Sequence, residues 1–566
     1  MASTRIVVVG GSAAGPKAAA KARRLDQDAE ITIIQKDPDL SMASCGYPYY
    51  VGGFFDDRNK LICTPTGVVR DPKFFINAKA ITALTSTEAT AIDRTARTVA
   101  YKDLQTGQTG TLAYDKLVLA TGATPFVPPV PGIDLDGITT LQSMRDADTL
   151  RKVRDDQTIK SAIVVGGGLI GVETCEALEL AGIEVTIVEL LPQILAFLDP
   201  QLARLVENHV NSKNARVITS NGVAEFLGTD GKLTGVRLQD GTEMPTELAV
   251  VAVGVRPNTR LAVDAGLDVG RGIQVNEFMQ TSDPDIYAIG DCVEIPNRIT
   301  GKPVLAPYGD LANLQGRVAG QNVIQGNHAR FPGTFQTGIC KVFDYTVGAT
   351  GLSEAAAREA GYDNAVAAVT VALDKPSFMG AKPLIMKVVA DAPTGRLLGF
   401  QCVGPGDASK RVAIAAMALH GGLTVTDLVN ADLPYAPPFS AAIDAFITAA
   451  HVLENKMLGR MEGISAAEVK AKLDAGDDFL LLDMRGPDEY EVMRLDVGET
   501  LIPLGTLRKR IGELPEDKAT PIVCYCKISL RGYEAESILR SVGYTNVKVM
   551  EGGILAWPYK KTVAAT

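Results

Sequence analysis

Two stretches of this chain read strand, glycine-rich turn, helix, and such units build parallel α/β sheets. The first is Ile6-Val7-Val8-Val9 running into Gly10-Gly11-Ser12-Ala13-Ala14-Gly15, then an Ala/Lys/Arg-rich helical pattern to Leu25 and a strand over residues 31–34. The second is Ile163-Val164-Val165 running into Gly166-Gly167-Gly168-Leu169-Ile170-Gly171, a helix to Leu180 and a strand over residues 185–188. Apolar β-branched runs alternating with amphipathic helices mark strands buried on both faces. Two nucleotide-binding-type domains are therefore predicted.

Gly166, Gly168 and Gly171 follow G-x-G-x-x-G between strand and helix, with Leu169 and Ile170 opening the helix. The first glycine permits the tight turn, the second admits a pyrophosphate, and the third packs helix on strand. The helix N-terminus supplies the positive end of a dipole. Glu189 closes the next strand, where a carboxylate binds the adenosine ribose and repels a 2′-phosphate, so NADH is expected over NADPH. The first loop is less regular. Gly10 and Gly15 hold the outer positions, Ser12 replaces the middle glycine with Ala13 after it, and Gln35-Lys36 stands where an acid is usual. Gln35 is expected to hydrogen-bond a ribose more weakly than a charged partner does.

A chain of 566 residues is too long for one core. From about residue 333, strand-like stretches at 341–346, 384–389 and 396–403 and a helix at 408–419 read as a separate α+β domain. Polar residues 454–462 read as a linker, and a final α/β pattern begins at 464, with strands at 479–482 and 522–525 and a helix at 532–542. The net charge of −10 argues against a nucleic-acid partner, since no basic excess neutralises phosphates. No apolar run has the length of a membrane span, and the first strand leaves no room for a signal peptide, so a cytoplasmic location is expected. The eight cysteines, at 45, 63, 175, 292, 340, 402, 524 and 526, include no Cys-x-x-Cys pair and no zinc-like grouping. Most are expected to be buried and reduced, with one or two reactive exceptions.

Longer strings narrow the reading. Lys116-Leu117-Val118-Leu119-Ala120-Thr121-Gly122-Ala123 and Val250-Val251-Ala252-Val253-Gly254-Val255-Arg256-Pro257-Asn258 resemble the crossing segments of two-dinucleotide flavoproteins. Thr281-Ser282-Asp283-Pro284-Asp285-Ile286-Tyr287-Ala288-Ile289-Gly290-Asp291 resembles their second FAD signature. Ser41-Met42-Ala43-Ser44-Cys45-Gly46-Tyr47-Pro48 resembles the S-F-x-x-C-x-x-P motif of the single-cysteine pyridine nucleotide-disulfide oxidoreductases. That branch holds coenzyme A-disulfide reductases, NADH oxidases and peroxidases, and NADH-dependent persulfide reductases. Gly338-Ile339-Cys340-Lys341 and Leu433-Pro434-Tyr435-Ala436-Pro437 resemble the coenzyme A-disulfide group in particular. Residues from 463 to about 560 resemble a rhodanese domain, through Asp483-Met484-Arg485, Glu489-Tyr490, the loop Cys526-Lys527-Ile528-Ser529-Leu530-Arg531, and Met550-Glu551-Gly552-Gly553. Ser529 stands where that loop usually has glycine.

The resemblance implies an α/β chain with an FAD domain over 1–115 and 250–328, an NAD domain with crossing segments over 116–249, an α+β dimerisation domain over 329–455, a linker over 456–462 and a rhodanese domain over 463–566. It implies a homodimer. It implies that Asp291 holds the FAD ribityl chain and that Ala120, Thr121, Gly122, Gly254, Gly290 and Ala312 adjoin the cofactors. Cys45 would stand over the flavin, with no second cysteine at Cys-x₄-Cys spacing. Its mixed disulfide or persulfide then forms with an outside thiol, which in the resembling enzymes is coenzyme A. Lys21, Arg23 and Arg24 read either as a solvated helix face or as a clamp for coenzyme A phosphates, with Ser41 and Ser44 toward the pantetheine arm. Tyr435 reads either as a hydrogen-bond donor to the partner subunit's sulfur site or as an interface aromatic. The Tyr-Tyr-Pro-Gly segment common in relatives is Ser377-Phe378-Met379-Gly380 here, without tyrosine. Cys526 reads as a sulfane-sulfur nucleophile in a cradle of backbone N–H groups, and Arg531 as the orienter of an anionic donor. The expected activity is NADH-driven reduction of persulfide or polysulfide, and of coenzyme A disulfide. The rivals are an NADH oxidase or peroxidase cycling through a cysteine sulfenic acid and a non-catalytic redox or sulfur-carrier scaffold.

Overall fold

A computed structural model describes residues 3–564. The chain divides into two compact units, one running to Leu190 and resuming over Asn214–Thr334, the other made of Leu191–Lys213 and the chain from Phe335 onward.

The first unit holds two five-stranded parallel sheets. One orders its strands Ile286–Ala288, Lys116–Leu119, Arg5–Val9, Glu30–Ile34, Ile81–Leu84. The other orders them Ala215–Ile218, Glu184–Val188, Ser161–Val165, Leu248–Val251, Ile138–Thr139. Both have the doubly wound order in which the chain reverses beside the first strand, leaving a crevice at the carboxyl ends of the strands. The core strands are buried on both faces, from Ile6 through Val9 and from Ala162 through Val165. Two short antiparallel strands, Ala123–Pro125 and Val255–Pro257, form the crossing pair.

Ladder pairing moves two expected domain limits. Lys116–Leu119 lies between Arg5–Val9 and Ile286–Ala288, so it belongs to the first sheet and not to a domain beginning at 116. Val250 and Val251 pair with Val164 and Val165, so they belong to the second sheet and not to a segment resuming at 250. Each strand goes where its backbone groups find partners and both its faces are covered.

In the second unit an antiparallel sheet orders Gly338–Val342, Tyr345–Gly351, Leu397–Gly404, Pro383–Asp391, Ala365–Leu373. The single strand expected at 341–346 is instead a tight hairpin, turning at Phe343 and Asp344 between paired Val342 and Tyr345. The expected linker is also shorter. The helix Ala445–Met457 runs through residues 454–457, anchored by the buried side chains of Phe446, Ala449, Ala450 and Leu453. A parallel sheet follows, ordered Gly463–Ile464, Val547–Met550, Ile522–Tyr525, Leu480–Asp483, Thr500–Leu501. Among the described residues no helix is long and apolar enough to cross a membrane.

Candidate active site

The two glycine loops are built alike. A Cβ on Gly15 would lie 1.9 Å from the Gly10 carbonyl oxygen, and one on Gly171 would lie 2.0 Å from that of Gly166. Only glycine lets each helix approach its loop so closely. Gly168 by contrast faces open space, as a pyrophosphate-binding turn requires. Neither the helix Ala14–Leu25 nor Leu169–Glu179 carries a side-chain cap or an acidic residue in its first turn, so both N-termini remain open to an anion.

Glu189 and Gln35 occupy corresponding places. The Gly167 N–H donates to Glu189 Oε2 at 2.6 Å, and the Gly11 N–H donates to Gln35 Oε1 at 2.7 Å. Gln35 is buried, so its carbonyl shapes the first loop and is not a free group aimed at a ribose, which corrects the expectation for that residue. Lys36 points away and pairs with Glu88 at 3.0 Å.

Gly290 draws the rest of the first site together. A Cβ there would meet the side chains of Ala14 at 3.2 Å and Ala312 at 3.8 Å, and its N–H donates to Gln315 Oε1 at 2.6 Å. Thr121 Oγ1 donates to the Asn258 carbonyl at 2.7 Å, tying the segment of Ala120 and Gly122 to the strand that follows Gly254. Asp291 is the telling group. Burial alone pushes its carboxyl up to about 6, and it has no polar partner among the described residues. An acceptor this desolvated is expected to be met by a hydrogen-bond donor, and a ribityl hydroxyl has that chemistry. The residues present therefore fit a flavin dinucleotide.

Cys45 lies in the short turn Ser44–Gly46, and the helix Tyr47–Val51 follows at once with Pro48 in its first turn. The thiol is exposed. It adjoins the first residue of the helix Gly309–Gln325, where a Cβ on Gly309 would lie 3.5 Å from the sulfur. Partial desolvation, then the carboxylates of Glu173, Asp291 and Asp310, push the thiol above its ordinary range. The helix N-terminus beside it acts in the opposite sense.

Glu173 escaped the sequence reading. It projects from the helix Leu169–Glu179 and accepts from Tyr49 Oη at 3.1 Å, and burial pushes its carboxyl up to about 7. A carboxylate two positions after the last glycine of the second loop was the available signal.

Two residues expected at coenzyme A, Arg23 and Ser41, are engaged otherwise. Arg23 is buried, and its guanidinium donates to the carbonyls of Lys79, Asp26, Gln27 and Ala80. It locks the helix end and is not a phosphate clamp, whereas Lys21 is half-buried and Arg24 exposed. Ser41 Oγ accepts from Arg70 at 2.8 Å, while Ser44 stays exposed beside Cys45. Arg531, expected to orient an anionic donor, pairs with Glu489 through two bonds of 2.6 and 2.8 Å, which holds the Glu489 carboxyl down at about 2, and its guanidinium also interacts with the Cys526 thiol.

In the second unit Cys526 follows the strand Ile522–Tyr525 and is buried. Among the described residues the backbone N–H groups of 527–531 have no partner. Such a run is an anion cradle. Cys524 is fully enclosed, and burial pushes its thiol far up, so it packs. Tyr435 is 54% exposed, as are its neighbours Phe439 at 72% and Ile443 at 54%.

Two nucleotide sheets joined by crossing strands, with one thiol at the head of the helix behind the first site, define a flavin- and nicotinamide-dependent oxidoreductase. Residues 4–308 match the pyridine nucleotide-disulphide oxidoreductase family, residues 337–446 its dimerisation domain, and residues 465–559 the rhodanese-like domain. The chain belongs to the pyridine nucleotide-disulphide oxidoreductase family, whose members use FAD and NAD(P)H. It is similar to the NAD-dependent persulfide reductase of A. fulgidus, with 40% identity, 98% of this chain and 100% of that one covered, and a TM-score of 0.93. The reduced CoADR-RHD of Bacillus anthracis is 34% identical over 98% of each chain, with a TM-score of 0.91. An NADH oxidase of Methanocaldococcus jannaschii is 33% identical over 77% of this chain and 95% of its own length.

Proposed function

We propose that the chain is an FAD-dependent NADH:persulfide or polysulfide reductase that also accepts coenzyme A disulfide, acts as a homodimer, and uses Cys45 as its one redox cysteine. The observation that carries this reading is the extent of the likeness. The persulfide reductase of A. fulgidus covers 98% of the chain, rhodanese domain included, whereas the NADH oxidase covers 77%. Reduction of oxygen has no use for a sulfur-transfer domain.

Asp291, Gly290 and the Gly10 loop, which Gln35 shapes, would hold the flavin dinucleotide, and the Gly166 loop with Glu189 the nicotinamide cofactor. When bound, the flavin converts a hydride into an electron pair for sulfur. The Cys45 thiolate attacks a disulfide, a bond forms to one sulfur, and the other leaves as a thiolate. Two electrons from NADH then break the Cys45 mixed disulfide, restoring the Cys45 thiolate and releasing the second thiol. With a persulfide R–S–SH, attack on the outer sulfur expels RS⁻, and reduction of the Cys45 persulfide releases sulfide. Glu173, with its carboxyl near neutrality, holds a proton within the site, and Tyr49 fixes it in place. Cys526 would take up sulfane sulfur in its N–H cradle. The exposed aromatic segment around Tyr435 and Phe439 would be covered by a second copy, on the domain that matches a dimerisation domain.

Anaerobic NADH oxidation with coenzyme A persulfide, glutathione persulfide, polysulfide and coenzyme A disulfide tests this. Sulfide release from at least one of the first three is expected. Rapid NADH oxidation with oxygen alone and none with the four sulfur acceptors would return the reading to an NADH oxidase.

A further inference from the structure

The Cys526 loop has no glycine at residue 529, yet its backbone turns there as though it had one. Ser529 lies at φ +81° and ψ −18°, in the left-handed region. A residue with a Cβ enters that region at an energetic cost, and a serine is not among those that tolerate it best. Serine in this place ahead of the helix Leu530–Ser541 would ordinarily cap it by accepting a backbone N–H. Ser529 makes no such bond. Its hydroxyl donates to the Met550 carbonyl at 2.6 Å.

The chain after Met550 holds the same loop from the other side. The Ile554 N–H donates to the Cys526 carbonyl at 2.9 Å and the Leu555 N–H to that of Lys527 at 3.2 Å. That segment is itself anchored, since buried Glu551 accepts from the Val369 N–H at 2.8 Å and from Lys456 at 2.5 Å. The carbonyls of Cys526 and Lys527 are thus tied down, while among the described residues the N–H groups of 527–531 stay unpaired.

We propose that Ser529 is a positioning residue for sulfur transfer at Cys526, its hydroxyl bond to Met550 imposing the turn that glycine would adopt unaided. The proposal rests on the sulfur-transfer reading of Cys526. In that step the Cys526 thiolate attacks the outer sulfur of thiosulfate, the S–S bond breaks, sulfite leaves with the bonding pair, and Cys526 becomes a persulfide. The cradle that receives the persulfide charge keeps its shape only while residue 529 stays left-handed.

Full-length wild type, Ser529→Ala and Ser529→Gly are compared with thiosulfate as donor. Alanine keeps the strain and loses the clip, so the maximal rate of persulfide formation is expected to fall about tenfold, the size of one lost hydrogen bond. The half-saturating thiosulfate concentration is expected to change little, and the pH midpoint for alkylation of Cys526 to rise. Glycine is expected to restore both rate and midpoint. NADH-driven reduction at the flavin reports an intact chain throughout. An alanine protein matching wild type overturns the proposal, as does a glycine protein as slow as alanine. Should the alanine protein not fold, Ser529→Asn takes its place, because asparagine enters this region more readily; a glycine protein slower than it overturns the proposal. A wild type that gains no sulfur mass on Cys526 withdraws the sulfur-transfer reading itself, whereas wild-type transfer with an unaffected alanine protein withdraws only the role of Ser529.

Discussion

Cys45 has no second cysteine at Cys-x₄-Cys spacing, so the role proposed for it depends on groups from other parts of the chain. Cys45→Ser is expected to lower anaerobic turnover of sulfur acceptors by about a thousandfold or more while flavin binding persists. Absorbance of the purified protein and NADH consumption measure the two separately. Glu173 gives a second test. Burial raises its carboxyl from 4.5 to about 7, so the folded chain holds that proton more tightly than the unfolded chain does. Its contribution to stability is complete below pH 4.5 and is lost as pH climbs to about 7. Glu173→Gln is expected to flatten this part of the profile, by on the order of 2 kcal/mol across the window. Melting temperatures of both proteins across that window check it, and parallel profiles would remove the assignment. Arg23 shows where residue-level reading stops. Its type and place on a helix fit an anion clamp, but four carbonyls from a neighbouring loop and helix end claim it first.

Among elements, the glycine loops were the most legible, because a strand, a turn with no room for Cβ and a helix must follow one another in a fixed order. Gly15→Val would place a side chain at 1.9 Å from the Gly10 carbonyl, and the helix must move away. Loss of bound flavin and destabilisation by about 2 kcal/mol or more are expected, read from absorbance and denaturant melts. Glu189→Arg is expected to shift preference toward NADPH by about tenfold or more, since the carboxylate that repels a 2′-phosphate becomes a cation. The ratio of kcat/KM for the two cofactors measures it. The hairpin at Phe343 and Asp344 was hidden for a physical reason. Phe343 turns with φ +54°, a conformation that glycine or asparagine would have announced and phenylalanine does not.

At the scale of the whole molecule, the three most exposed large hydrophobic side chains among the described residues all lie within residues 337–446. Phe378 is 75% exposed, Phe439 72% and Met417 69%. Apolar groups left so open signal a surface that is covered in use. Sedimentation as a dimer is expected, and Phe439→Asp is expected to give a monomer with little reductase activity. A monomeric wild type with full turnover would contradict the homodimer.

The chain alone determined the order of its domains, both glycine-rich loops, a cysteine at 45 with no Cys-x₄-Cys partner, and the closing loop that begins at Cys526, because these reside in local spacing and residue type. Tertiary structure decided which sheet claims Lys116–Leu119, that Gln35 serves its own loop, that Arg531 pairs with Glu489 while also reaching Cys526, and that Glu173 is desolvated beside Cys45. Those outcomes depend on which groups distant in sequence compete for the same hydrogen bonds and the same dry space, and only the folded chain brings the competitors together.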